Sequence, residues 1–577
     1  MTPLIRTRYI PRLKHKVGLQ ITATIRPDLS ADPDERRVVM KLENLIAAGV
    51  SHFRLNLSHF TPDNPQARCG LAEEQYRARW RTLVQQIDLA RERLGANVFI
   101  MVDTAGPTFR IHSATGGALA PGDQALLSCD GEGAEREEPT IRLNMPEGFE
   151  SFGGDEVVGS EIAFKDGNFL ALVRERLGPK LLRIEARQPF DLSSAQNVKA
   201  NFPGFTLPGI SAVSQRDLKD LEFFLTLPKA APEGSSTAGA RVAIHYVAQS
   251  FVRSSADITA LVSGINGFGV VPPLIIPKIE TAQAVEPQTL EAIIGHEDTA
   301  AVMVARGDLG IECSRWLVPS KQREIVRAAH SQLKPVLIAT EVYGSMGVAA
   351  PGAGVPAWQP NRGEILDFRY ALEAGIDGVV FSAETGARDD PETTVNYAIR
   401  QARFDEANIE ELDLHRAERD RRRERLEYYC AKFLGRPTEM QYHAEPMPLR
   451  AHADFSTADW ACAAVYRANT RRAIGIFPFT LTGEAVRAMV HFLPYRPIIA
   501  ITDEEETLAR LALYAHAYPV LVDRVSATFD VRDLKALVQE VMRKFELGAA
   551  GEEALATMPH PVRKTKGTDT LVLIRRL

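Results

Sequence analysis

A chain of 577 residues, 45% hydrophobic and 25% charged, has the make-up of a folded globular protein and room for three or four domains at about 150 residues each. A net charge of -6 is small for this length, which excludes a strongly basic nucleic-acid-binding composition and gives no reason to expect a membrane partner. The five cysteines (Cys69, Cys129, Cys313, Cys430, Cys462) are odd in number and lack a Cys-x-x-Cys spacing. No run of about 18 apolar residues occurs, and Met1 to Arg6 carry no signal-like apolar core. The expectation is a cytoplasmic protein with reduced thiols and no transmembrane helix.

Short apolar runs that read as buried strands begin at 21–25, 52–56 and 98–103, separated by helical patterns at 35–48 and 73–94. The rhythm then breaks. Between 103 and 241 the chain shows short alternating runs punctuated by Gly, Asp and Glu, such as 161–164 and 169–173, the pattern of a small β-rich domain inserted in a loop. A helical pattern at 215–227 restores the alternation. Strand-like runs follow at 241–247, 274–280, 300–305, 335–340 and 378–382, with helices at 320–332 and 361–374.

Most of these eight runs are rich in Val and Ile on both faces, as parallel strands covered by helices are. Eight strands alternating with helices point to an α/β fold of the (β/α)8 TIM-barrel type, eight being a number at which a parallel sheet closes around a filled interior. The alternation alone leaves a doubly wound sheet open.

Beyond 405 the character changes. Residues 409–429 interleave Glu, Asp and Arg at helical spacing, which reads as a solvated or interface helix because the run is not of one sign. Runs at 473–477, 497–501 and 570–574 with helices between them indicate a separate α/β domain. The expected division is a barrel from 1–106 and 208–405, an inserted β-rich lid domain at 107–207, and a C-terminal α/β domain at 406–577. Gly/Ala/Pro/Ser-rich loops are expected at 230–239, 347–360 and 548–551.

In such barrels the active site lies at the carboxyl ends of the strands. Those ends carry Arg54, Asn56 and Ser58; Asp103 and Thr104; Ser250 and Arg253; Lys278 and Glu280; Gly307 and Asp308; Thr340; and Ser382 and Glu384. Lys278 and Glu280 are two apart on a strand, so their side chains share a face. Two carboxylates, Glu280 and Asp308, can hold a divalent metal, and a lysine beside them can meet phosphoryl or enolate charge. Structural readings stand beside these: an ion pair inside the barrel for Lys278 and Glu280, a loop arginine for Arg54, and a helix N-cap for Asp308.

Several segments together resemble the pyruvate kinase family. Arg54-Leu55-Asn56-Leu57-Ser58-His59 is similar to the family's Arg-Leu-Asn-Phe-Ser-His, and Asp103-Thr104-Ala105-Gly106-Pro107 to Asp-Thr-Lys-Gly-Pro. Gln249-Ser250-Phe251-Val252-Arg253 resembles Ala-Ser-Phe-Ile-Arg, Lys278-Ile279-Glu280 matches Lys-Ile-Glu, and Met303 through Gly310 matches Met-Val-Ala-Arg-Gly-Asp-Leu-Gly. The resemblance implies phosphoryl transfer from phosphoenolpyruvate to ADP, giving pyruvate and ATP, the last step of glycolysis.

Within it, Lys278 meets the phosphoryl group in flight and Arg54 binds it. Glu280 and Asp308 hold Mg2+ (or Mn2+), the backbone of Gly307 and Asp308 seats the substrate carboxylate, and Thr340 lies on the face where the enolate is protonated. Asn56, Ser58, Asp103 and Thr104 correspond to a K+ site. Lys199 corresponds to an inserted-domain lysine, and Arg110, Ser382 and Glu384 are further candidates along the cleft. A homotetramer is implied.

The chain departs from the family pattern at several places. Ala105 stands for lysine, Thr108 for glutamate, Glu341 for glutamine and Pro277 for serine. Arg26 stands for glycine, adding a cation at the mouth where Ala105 removes one. In the C-terminal domain Leu481 and Glu484 occupy a loop where relatives bind a sugar phosphate, and a glutamate there opposes a phosphate. Two other readings remain: a relative acting on another enolpyruvyl phosphate or acceptor, and a non-catalytic regulatory or interaction protein on the same fold.

Overall fold

Near-continuous β-branched and aliphatic runs build the centre of the computed structural model: β1 Gln20–Thr24, β2 His52–Asn56, β3 Phe99–Asp103, β4 Tyr246–Gln249, β5 Leu274–Ile279, β6 Val302–Ala305, β7 Val336–Ala339 and β8 Gly378–Phe381. All eight are parallel and close in the order β1-β8-β7-β6-β5-β4-β3-β2. The structure describes residues 3–576 apart from 33, 60–71, 130–137, 166, 197, 206, 212, 229–242, 348–356, 409–454, 493–495, 527 and 559–569. The charged 409–429 segment, the 230–239 loop and most of the 347–360 loop lie outside the described residues. The fourth strand begins at Tyr246, later than the apolar run that starts at 241.

Helices cover the barrel for identifiable local reasons. Glu35–Ala48 starts where the Asp34 carboxylate accepts from the backbone N-H of Arg36 and Arg37, and it buries Val38, Val39, Leu42, Leu45 and Ile46 on one stripe. Arg362–Ala374 opens with a reciprocal capping box between Asn361 and Glu364.

The inserted segment forms its own closed seven-stranded barrel that includes Phe109–Thr115, Lys199–Asn201 and Glu161–Phe164. Its core is dense in aromatics; Phe109, Phe149, Phe152 and Phe202 pack with ring centroids 4.8–6.2 Å apart.

The C-terminal unit is a five-stranded sheet made of β9 Ile476–Pro478, β10 Ile498–Thr502, β11 Ala517–Leu521, β12 Glu553–Met558 and β13 Thr570–Arg575, in the order β11-β10-β9-β12-β13. Only the β12–β13 pair is antiparallel. Its helix Glu505–Ala512 closes the amino-terminal end of the barrel: Leu508, Ala509 and Ala512 pack with Phe99, Met101, Tyr246 and Ile276, and the Tyr246 hydroxyl donates to the Ala509 carbonyl at 2.7 Å. Arg12 is buried at the same junction and donates to the carbonyls of Gly18, Ala512, Tyr514 and Ala517. One barrel end is therefore plugged, and the carboxyl ends of the strands open beneath the inserted domain. No helix among the described residues is long and apolar enough to cross a membrane.

Candidate active site

The carboxyl ends of β2 to β5 converge on a buried charge cluster. Asn56 and Asp103 are register partners, and so are Ala248 and Asp103, so β2, β3 and β4 end level with one another. The Asp103 carboxylate, fully buried, accepts from Arg54 Nε at 2.7 Å and lies 3.4 Å from Lys278 Nζ. Burial opposes its charge, but Arg54 and Lys278 outweigh burial and hold its pKa below the usual carboxylate value.

Lys278 Nζ donates to Ser250 Oγ at 2.8 Å and lies 3.3 Å from Glu280 Oε2. Burial works against the ammonium, yet Asp103 and Glu280 more than offset it, and its pKa is raised. Lys278 is therefore a fixed positive charge at neutral pH.

Glu280 is completely buried. Its Oε1 accepts from the Phe251 N-H at 2.6 Å, while Oε2, close to Lys278, has no hydrogen-bond partner among the described residues. Burial raises its pKa, the charge of Asp308 adds to this, and Lys278 opposes it. A buried carboxylate oxygen with an unused lone pair, within the field of a second carboxylate, is the setting a divalent cation fits.

Asp308 is not a helix cap. The cap of the short helix Arg306–Glu312 is Ala305, and Asp308 sits in its first turn. Its carboxylate instead pairs with Lys199 Nζ and accepts from Asn201 Nδ2 at 3.3 Å, both from the strand of the inserted domain that hangs over the site. Burial opposes the charge of Asp308, and Lys199 more than offsets it. The Lys199 ammonium also lies 4.5 Å from the centroid of the Phe251 ring. Arg110 is the register neighbour of Lys199 in the inserted domain.

Thr340 has a left-handed backbone, φ 66°, and so does Glu341, φ 53°. The Thr340 hydroxyl accepts from Gly307 N-H at 2.9 Å, so in this structure Thr340 occupies the Gly307 amide. Gly307 has no Cβ, and one added there would stand 3.3 Å from Thr340 Oγ1.

The remaining candidates divide. Ser382 Oγ lies 3.4 Å from Arg54 Nη1, inside the cluster. Glu384 is turned to backbone duty, accepting from the N-H of Ser382 and Tyr343. Asn56 Oδ1 accepts from Ser58 N-H, and Thr104 Oγ1 from Ser250 N-H, so these oxygens already carry hydrogen bonds.

Sequence reasoning gave no role to three residues that belong to the site. Ser250, noted only as lying at a strand end, joins Lys278 to the Asp103 loop. Asn201 lies two residues from Lys199 on one strand, hence on the same face. Glu312 lies four residues from Asp308 on a helix; burial, opposed by a bond from Ala282 N-H and aided by the charge of Asp308, pushes its carboxyl up to about 7.

The family model described as "Pyruvate kinase, barrel domain" matches residues 18–395, and the one described as "Pyruvate kinase, alpha/beta domain" matches residues 459–574. The chain belongs to the pyruvate kinase family. A pyruvate kinase of Agrobacterium vitis is 28% identical over 564 residues, spanning 96% of each chain, and a second from the same organism is 30% identical over 482 residues, spanning 82% of each. The pyruvate kinase of Corynebacterium glutamicum is 27% identical over 494 residues, 84% of each. The crystal structure of a pyruvate kinase from Cryptosporidium parvum aligns over 98% of this chain and 97% of its own with a TM-score of 0.72 at 22% identity, a likeness of fold. Family membership joins the two-part barrel and the C-terminal sheet in one known architecture.

Proposed function

We propose that this protein transfers the phosphoryl group of phosphoenolpyruvate to ADP, giving pyruvate and ATP. The observation that carries the reading is the Lys278 ammonium, buried and held between Asp103 and Glu280, with Arg54 on the far side of Asp103. Such a transfer needs little covalent chemistry from the protein and much positioning and charge neutralisation.

The bond between the enol oxygen and phosphorus breaks, a bond from an ADP phosphate oxygen to phosphorus forms, and the enolate carbon takes up a proton. Lys278 stays protonated and neutralises phosphoryl charge as it moves. Arg54, its Nε committed to Asp103 and its Nη1 to Thr24 Oγ1 at 3.0 Å, presents a fixed guanidinium plane to the phosphoryl oxygens. Thr340 stands where a hydroxyl can deliver or relay the proton to the enolate carbon. The inserted domain, tied to Asp308 through Lys199 and Asn201, excludes water from the cleft.

Glu280 and Asp308 fit a divalent cation, Mg2+ or Mn2+: Glu280 Oε2, paired with Lys278 but without a hydrogen-bond partner among the described residues, and the repulsion between the two carboxylates both favour one. Bound there, it supplies Lewis-acid neutralisation of enolate and phosphoryl charge. Asn56, Ser58, Asp103 and Thr104 offer oxygen donors suited to K+, a role we propose only as a counter-charge. A tetrameric assembly is proposed from family membership.

The test is a coupled assay for pyruvate with phosphoenolpyruvate, ADP, Mg2+ and K+, using Lys278→Met as the control. We expect turnover in the wild type and a loss of about a thousandfold or more in the variant, the range seen when a charge acting on the transition state is removed. Equal rates would sink the role of Lys278. No pyruvate from the folded wild type would remove the proposal.

A further inference from the structure

The cations around the mouth of the barrel are nearly all neutralised within the protein. Arg54 pairs with Asp103, Lys278 with Asp103 and Glu280, Lys199 with Asp308, Arg306 with Asp367, and Arg253 with Asp257. Arg26 is different. It follows β1 by two residues, is half-buried, and among the described residues no carboxylate or carbonyl accepts from its guanidinium.

Its position is tied to the site by short links. Thr24, at the end of β1, accepts from Arg54 Nη1 through its hydroxyl and from Thr385 Oγ1, at 2.9 Å, through its carbonyl. The Arg26 stem runs past Gly386, where an added Cβ would lie 3.8 Å from Arg26 Cγ. Arg26 therefore flanks the Arg54 corner of the cluster but stands farther out, beyond the strand end. The loop after β3, residues 103–108, contributes no cation to the mouth.

A partly desolvated guanidinium without a counter-ion is unfavourable in the free protein, and such local conflicts collect at functional sites. The inner charges already face the transferring phosphoryl group. A cation outside them meets what approaches from the mouth, and a planar five-donor fork suits phosphate oxygens.

We propose that Arg26 is the specificity-determining residue for the phosphate chain of the acceptor, a nucleoside diphosphate. The proposal rests on the phosphotransfer reading above, because only that reading brings a second, phosphate-bearing substrate to the mouth.

The experiment compares wild type, Arg26→Ala and Arg26→Lys in two measurements: calorimetric binding of inorganic pyrophosphate in the presence of Mg2+, and the KM for ADP and for phosphoenolpyruvate separately. Among the described residues Arg26 makes no internal hydrogen bond through its side chain, so the variants should keep the wild-type melting temperature. Arg26→Ala should weaken pyrophosphate binding and raise the KM for ADP about tenfold, while the KM for phosphoenolpyruvate stays within about twofold. Arg26→Lys should recover part of the loss, since it keeps the charge and loses the fork. Unchanged pyrophosphate binding and ADP KM in Arg26→Ala would overturn the inference while leaving the phosphotransfer reading intact. A wild type that forms no pyruvate, but whose pyrophosphate binding falls in Arg26→Ala, would remove that reading and leave the anion site standing.

Discussion

Arg306 donates to the carbonyl of Thr340 from both Nε and Nη2, at 3.2 and 3.0 Å, and so holds a β-branched residue in the left-handed region. Nη2 also reaches the Glu341 carbonyl at 2.8 Å, and Nη1 is fixed by Asp367 at 2.6 Å. Two successive non-glycine residues with positive φ carry strain on the order of 1–3 kcal/mol each, and the guanidinium is what the surroundings set against it.

Replacing Arg306 with Leu removes these bonds, and Thr340 relaxes away from the Gly307 amide. Proton exchange into the methyl group of pyruvate should fall about tenfold or more, with phosphoryl transfer losing less, because the hydroxyl is assigned to the enolate step. Following solvent deuterium into pyruvate alongside ATP formation separates the two. Equal losses in both would make Thr340 a purely structural residue.

In the proposed metal site, Lys199 and a divalent cation would compete for the same carboxylate, that of Asp308. With Lys199→Met, Asp308 loses its ammonium partner and the inserted domain loses a tether to the barrel. Mn2+ affinity, read by the paramagnetic resonance of the free ion, should rise severalfold, and the inserted domain should become easier to cleave by protease. Turnover should fall despite the better metal binding. A drop in Mn2+ affinity would mean that Lys199 helps to form the metal site rather than competing for it.

The barrel was legible because its strands are apolar on both faces. Residues 52–56 coincide with β2, and helices 35–48 and 73–94 match the structure at both ends. Two strands of the C-terminal sheet were not legible. β11 carries Pro519, which normally argues against a strand, and β12 reads Glu-Ala-Leu-Ala-Thr-Met, a run of helix formers that only sheet pairing overrides. In the site, Lys278, Glu280 and Asp308 were readable from strand-end logic. The Lys199–Asp308 pair was not, since its partners lie 109 residues apart in different domains and no local pattern links them.

The loop after β9 carries Leu481 and Glu484, two of the departures noted in the sequence. Leu481 offers its carbonyl to the hydroxyl of Thr507 in helix Glu505–Ala512 at 2.6 Å, and Gly483 N-H donates to Thr480 Oγ1 at 2.9 Å, so these loop groups already carry hydrogen bonds. Glu484 begins the following helix and sets a negative charge beside this loop, which would oppose a phosphate bound there. Fructose bisphosphate at micromolar concentration should therefore leave the rate of dialysed enzyme unchanged within about twofold. Clear activation would refute this reading of the loop.

Lys334 makes stability depend on pH in a defined direction. It is buried at the end of the barrel that meets the C-terminal domain, with Nζ on the Thr299 carbonyl. Burial, reinforced by the charges of Arg487 and Arg510, lowers its pKa from 10.5 to about 7. Between these values the unfolded chain holds a proton that the native protein has released, so stability rises with pH across about 7 to 10.5. Below about pH 7 both states are protonated and the native state carries the whole penalty, on the order of a few kcal/mol. In Lys334→Met the penalty is absent, at the loss of one hydrogen bond worth about 1 kcal/mol. Urea midpoints of the two proteins should therefore favour the variant at pH 7 and converge as pH approaches 10, where the wild type has gained most of the difference. A gap that stays constant over that range would show that Lys334 is charged in the native protein throughout, and that the Thr299 carbonyl is worth more to it than burial takes away.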